Sequence, residues 1–239
     1  TTEIYTLSLH DALPICMIRV EDIHYPDTGL ICVENAHSSG KVIKMSEMKS
    51  IYELAQKHKI PVHLDGARLF NAAHALGVQA SEIAKYADSL MFCLSKGLCA
   101  PVGSVLVGSK TFIDKARKNR KLMGGGLRQA GFLAAAGIVA LNQMVDRLDD
   151  DHEMAKLLAE KLSEIEGIKV LDERLDINMV FCEIKLKMSE EDFIDKLKEQ
   201  GIKINGSEEG EFRFVTNYWT PERSVIKLAE SIKNIMGAR

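Results

Sequence analysis

Between residues 29 and 108 four short apolar runs, each closed by glycine or a polar residue, alternate with stretches of helical spacing. The runs are Gly29–Glu34 (GLICVE), Pro61–Asp65 (PVHLD), Asp88–Leu94 (DSLMFCL) and Gly103–Gly108 (GSVLVG). Each has the length and the bounding turn residues of a buried strand. Between the first two, Met48, Ile51, Tyr52, Leu54 and Ala55 fall on one face of a helix over Ser46–His58, with Ser46 placed to cap it. A further helical stretch follows Asp65 to about Leu76. Strands alternating with helices predict an α/β domain with a largely parallel sheet. Helices then dominate from Thr111 to Glu166, interrupted by Gly124-Gly125-Gly126.

After about Asp149 the pattern changes. Met154–Ile165 is amphipathic, Ile177–Ile184 reads as a strand and Glu190–Gln200 as a helix. Short strands around Ile202–Ile204 and Phe212–Thr216 and a last helix over Glu222–Met236 complete a small α+β domain. The expected division is therefore a large domain over 16–148 and a small one over 149–239.

The opening segment Thr1–Ile15, TTEIYTLSLHDALPI, fits neither domain. It lacks the basic start and long apolar core of a signal peptide. From Ile4 onward it resembles the translation of a common DNA-sequencing adapter. It is set aside as an artefact, with the natural protein expected to extend further upstream.

The formal charge of −3 gives no general attraction to nucleic acid or acidic lipid, so neither is an expected partner. The most membrane-like stretch, Phe132–Leu141, is too short to cross a bilayer, and its small residues suit a tightly packed helix. Cys16, Cys32, Cys93, Cys99 and Cys182 form no CxxC pair and read as buried, reduced thiols of a cytoplasmic protein. No metal site is expected.

Ligands of an open α/β sheet bind beyond the carboxyl ends of its strands. Two neighbouring runs end there in chemically useful groups: Asp65, followed by Gly66-Ala67-Arg68, and Ser95-Lys96-Gly97. A carboxylate and an amine at adjacent strand ends are what a pyridine-ring cofactor needs. The amine joins the cofactor as a Schiff base, and the carboxylate keeps the ring nitrogen protonated. Glycines beside both groups permit close approach of the backbone. Taken singly, Lys96 reads as a solvated side chain, Asp65 as a turn residue and Arg68 as one half of an ion pair.

Three longer runs resolve these readings: PVHLDGARLFNAAHALGV, ADSLMFCLSKGLCAPVGSVLVGS and RKLMGGGLRQAGFLAAAGIVAL, with HYPDTGLICVENAHSSGKV before them. Together they resemble the threonine aldolases, pyridoxal-phosphate lyases of the aspartate-aminotransferase fold. The resemblance is dense from His24 to Leu141. It implies a partial pyridoxal-phosphate-dependent transferase large domain followed by a small C-terminal domain. It also implies cleavage of a small β-hydroxy amino acid, threonine or allo-threonine, to glycine and acetaldehyde. The family pattern makes Lys96 the lysine that carries pyridoxal 5′-phosphate, Asp65 the partner of the ring nitrogen, and Arg68 an active-site arginine near the substrate carboxylate. It assigns Arg213 as the second carboxylate-binding arginine and His24 as a histidine near the substrate hydroxyl. Lys121 and Arg128, on either side of the triple glycine, match a loop bordering the active site. Relatives of this kind are homotetramers. Asp27 stands where an arginine is common, and Glu34–Ser39 departs from the usual threonine and asparagine, both of which bear on substrate preference. Two other readings stay open: a β-eliminating lyase acting on tyrosine or tryptophan, and a non-catalytic truncated fragment.

Overall fold

A computed structural model describes residues 3–7, 18 and 23–237. It divides into two compact units, the first over residues 1–37 and 42–145, the second over 38–41 and 146–239.

The first unit is built on a five-stranded sheet in sequential order: β1 (Glu3–Leu7), β2 (Thr28–Glu34), β3 (Val62–Asp65), β4 (Ser89–Cys93) and β5 (Ser104–Gly108). β1 to β4 are parallel and β5 returns antiparallel to β4. The helices are α1 (Met45–Lys57), α2 (Leu69–Leu76), α3 (Ala80–Ala84), α4 (Lys110–Leu122) and α5 (Gly131–Val139), the last running into a π turn at Ala140–Met144. The expected α/β domain is thus present.

Strand pairing sorts side chains by face, because parallel partners in register point the same way. Ile31 pairs with Val62, and Val33 with Leu64, which pairs in turn with Leu90. All five are buried, as are Met48, Ile51 and Ala55 of α1 and Leu69, Ala72 and Ala73 of α2. The other face carries Cys32, His63 and Ser89 in one row and Glu34, Asp65 and Met91 in the next, all at least partly exposed.

Glu3–Leu7, within the segment set aside above, pairs with β2 as the edge strand β1. The open edge of β2 is a template for any segment of strand-forming residues, and Ile4-Tyr5-Thr6 is one. Ser46 does not cap α1; Lys44 is the capping residue, and its backbone N–H donates to Glu47 Oε2 at 2.9 Å. A carboxylate in the first turn satisfies that donor better than a hydroxyl already inside the helix. α5 is not tightly packed: only Gly137 of its nine residues is buried, and Phe132 is 90% exposed. Of the cysteines, Cys182 is buried, Cys32 and Cys93 are half-buried and Cys99 is exposed; all four are free thiols, and Cys16 lies outside the described residues.

The second unit is a three-stranded antiparallel sheet, β6 (Ile168–Val170), β7 (Met179–Ile184) and β8 (Glu211–Val215), with α6 (Leu148–Ser163), α7 (Glu190–Glu199) and α8 (Glu222–Gly237). Ser189 Oγ caps α7 by accepting from Asp192 N at 3.1 Å. Its core joins Leu158 and Leu162 of α6, Val180 and Cys182 of β7, Phe193 and Leu197 of α7, Phe212 of β8 and Ile232 of α8. Phe193 meets Phe212 edge-on, with centroids 5.8 Å apart. Ile202–Ile204 is a loop, not a strand, and the third strand is β6 instead.

Residues 38–41 belong to this unit although they lie between β2 and α1 in sequence. Arg174 holds them: its Nε donates to Ser39 O at 2.9 Å, its Nη1 pairs with Glu211 at 2.5 Å, and its guanidinium lies 3.7 Å from the Phe181 ring centroid. Gly40 (φ +89°) fits here because a Cβ would collide with Arg174 O. In the first unit the base of this excursion is closed by buried Asn35, which donates to Ile43 O at 3.2 Å and accepts from Ile43 N at 3.1 Å.

Candidate active site

β3 and β4 run side by side and stop at the same end of the sheet. Val62 and Asp88 fix their starts, Val62 N donating to Asp88 Oδ2 at 2.8 Å and Asp88 N to Val62 O at 2.9 Å. Asp65 is the last residue of β3, level with Glu34 on one side and Met91 on the other. Its Oδ1 accepts from Ala67 N at 3.0 Å, which turns the carboxylate back over the strand end. Oδ2 makes no hydrogen bond with any described residue, and the side chain is exposed. Gly66 follows in a space closed to other residues: its N donates to Met91 O at 2.8 Å, and a Cβ there would lie 2.8 Å from that same oxygen. Arg68, half-buried, forms the N-terminal boundary of α2.

Beyond β4 the chain makes a tight turn that carries Lys96. Leu94 N donates to Gly103 O at 2.9 Å, Ala100 N to Leu94 O at 3.0 Å and Cys99 N to Lys96 O at 2.9 Å. Leu98 is buried and anchors the turn. Lys96 itself is exposed and forms no ion pair among the described residues. α5 lies against this turn, since a Cβ on Gly137 would sit 3.0 Å from Leu94 Cδ1. Exposed Lys121, in the last turn of α4, and exposed Arg128, in the loop to α5, stand on either side of the glycines, with Gly124 at φ +84° and Gly126 over the Lys121 stem.

Behind Asp65 the sheet face is polar. His63 Nδ1 lies 2.8 Å from Ser89 Oγ. Burial lowers the His63 pKa, against an opposing pull from Asp65. Burial, with the Asp65 charge second, raises that of the Cys32 thiol. Glu34 Oε2 lies 3.4 Å from His37 Nε2. Ser89 was not singled out in the sequence, and Glu34 only as the start of the departing segment 34–39; cross-strand register shows that they flank His63 and Asp65.

Not every expected site residue gathers here. His24 lies in an exposed turn before Thr28, at the amino end of β2, whereas Asp65 is level with Glu34 at its carboxyl end. The seven residues of β2 set those ends six steps apart, about 20 Å at the usual rise. The resemblance supplied the residue and the strand direction decides its place. Arg213 is an exposed residue of β8 in the second unit.

This architecture is shared with solved structures. A threonine aldolase from Leishmania major covers 91% of the chain and is itself covered over 64% of its length, with TM-score 0.71 and 18% identity. A PLP-dependent aminotransferase from Streptococcus suis aligns with TM-score 0.69 and 18% identity, covering 90% of this chain and 60% of its own. The fold is therefore that of the pyridoxal-phosphate-dependent transferases. The chain belongs to the beta-eliminating lyase family, whose profile matches residues 11–185. Among its relatives, low-specificity L-threonine aldolase 1 of Arabidopsis thaliana is 44% identical over 198 residues, which is 81% of this chain and 55% of that protein. The low specificity L-threonine aldolase of Escherichia coli K12 is 46% identical over 167 residues, 70% of this chain and 49% of that protein. The chain spans about half the length of these curated relatives.

Proposed function

We propose that this chain is the catalytic-lysine portion of a low-specificity threonine aldolase, a pyridoxal-phosphate lyase that cleaves threonine or allo-threonine to glycine and acetaldehyde. One observation carries the reading. Two adjacent strand ends present an amine and a carboxylate oxygen, Lys96 Nζ and Asp65 Oδ2, with no partner among the described residues. These groups fit pyridoxal 5′-phosphate, a ring that takes a Schiff base from an amine and a carboxylate beside its nitrogen, and the tight packing of Gly66 against Met91 O and Leu69 fixes the strand end that carries Asp65. When bound, the cofactor supplies a ring that accepts the electron pair left on Cα.

The chain's own residues do the rest. Lys96 Nζ would hold the cofactor. Asp65 Oδ2 holds a proton on the ring nitrogen. Arg68 takes the substrate carboxylate, a planar guanidinium fixing its orientation by paired hydrogen bonds; the family resemblance gives Arg213 a carboxylate-binding role as well. That orientation decides which bond at Cα is broken. Lys121 and Arg128 border the site from the glycine loop. His24, placed at the far end of β2, is given no role in this chain's cluster. The same resemblance supports a cytoplasmic homotetramer.

The test is to add pyridoxal 5′-phosphate, reduce with borohydride and map the labelled peptide, then to assay products from threonine. Label on Lys96, with glycine and acetaldehyde in equal amounts, is the expected result. Label elsewhere overturns the site. Release of ammonia and a keto acid without glycine assigns β-elimination instead.

A further inference from the structure

His63 lies on β3 two residues before Asp65, so both side chains stand on the open face of the first sheet, about 7 Å apart along the strand. Its neighbours in the same row are Cys32 on β2 and Ser89 on β4. His63 Nδ1 lies 2.8 Å from Ser89 Oγ, which holds the ring in place, while Nε2 has no hydrogen-bond partner among the described residues. An imidazole tied to a hydroxyl is a poor choice for packing alone, since Val or Ile would suit the pleat better. The ring is half-buried. Burial lowers its pKa, and the Asp65 charge pulls the other way. On the flanking strand Cys32 brings no charge, because burial, then Asp65, raises its thiol pKa. Glu34, one row further on, is set against His37. Asp65 is therefore the charge that His63 feels on this face.

We propose that His63, pinned by Ser89 one row below Asp65, is a positioning residue for the cofactor site: as a neutral imidazole it leaves Asp65 an unopposed anion facing the ring nitrogen. The inference rests on the assignment of Asp65 to that nitrogen. A proton on His63 places a second cation near the one that Asp65 holds there. Two cations facing one carboxylate repel, so each proton is bound more weakly when the other is present. His63 thereby sets the acid limit of cofactor retention. It passes no proton to substrate and takes no part in bond cleavage.

Two measurements test this. In the chain without cofactor, the His63 ring proton resonances, identified by their loss in His63→Gln, are followed against pH. Their midpoint falls in Asp65→Asn, because the raising pull of that carboxylate is gone. Uptake of pyridoxal 5′-phosphate is then titrated by absorbance between about pH 7.5 and about pH 5, across the ordinary imidazole value. Over that span affinity falls about tenfold more in the unaltered chain than in His63→Gln, which takes no proton. A second neutral variant, His63→Asn, gives the same contrast. A merely structural role would instead weaken uptake equally at every pH. An unmoved His63 midpoint in Asp65→Asn overturns the proposal, and so does an acid loss of uptake that is the same with and without His63. Absence of uptake at every pH overturns the cofactor reading itself, and with it the role given to His63.

Discussion

In the first unit one face of the sheet is buried under apolar side chains while the opposite face carries half-exposed Cys32, His63, Ser89 and exposed Asp65. In the second unit the central strand is covered on both sides: Met179, Val180, Phe181 and Cys182 of β7 are all buried in succession. The contrast separates two uses of a sheet. A strand buried on both faces contributes stability and offers no site, whereas a face left open can hold polar groups that would be costly inside a core. The candidate chemistry lies on the open face. The second unit has instead a cavity at its edge, between the 201–205 loop, β8 and the start of α8.

The largest expected effect is in the closed core. Phe193 is fully buried against Phe212, and Phe193→Ala should destabilise the second unit by about 3–5 kcal/mol. Urea unfolding followed by hydrogen exchange reads this directly; a loss below about 1 kcal/mol would mean the core is loosely packed. Next is Gly66→Ala in the first unit, where the new Cβ meets a backbone oxygen. It should cost about 1–3 kcal/mol and abolish cofactor uptake at Lys96, followed by absorbance. Full uptake by the variant would show that the β3 terminus is free to shift.

The third effect depends on pH. The folded-state pKa of His63 is lowered by burial, so folding favours the neutral ring. Above the free imidazole value of about 6.5 His63 makes no pH-dependent difference. As pH falls below that value the unfolded state takes up the proton first, and the first unit loses stability until the lowered pKa is passed. Unfolding midpoints at neutral and mildly acidic pH should diverge less in His63→Gln; an unchanged divergence would assign the dependence to another group. Smallest is Phe132→Ser on exposed α5, expected within about 0.5 kcal/mol of the unaltered stability. Its effect should appear in sedimentation as reduced self-association, because the side chain is exposed apolar surface. A loss of 2 kcal/mol or more would show that α5 is packed after all.

Much of the first unit was legible because its strands are dense apolar runs ended by glycine or charge. The positions of Asp65 and Lys96 at or just past the ends of such runs were legible in the same way, whereas the roles proposed for them come from the family resemblance. What could not be read depends on neighbours across strands. Glu34 and Ser89 gain meaning only from register, and β6, three residues long, carries too little alternation to declare itself. Ile202–Ile204 has the composition of a strand but pairs with nothing, and its residues line the cavity instead. The apolar run at Phe132–Leu141 suggested close packing, yet composition alone does not say whether a helix finds a partner.

The excursion at residues 38–41 bears on how the chain can be taken apart. Ser39 and Arg174 are 135 residues apart in sequence. The chain crosses between the units at three points, so no single cut yields two intact pieces. A fragment beginning at residue 146 would lack the carbonyl that Arg174 Nε meets and the glycine that fits beneath it. During synthesis those four residues emerge first and wait for the unit they complete, a long-range closure that slows its final assembly.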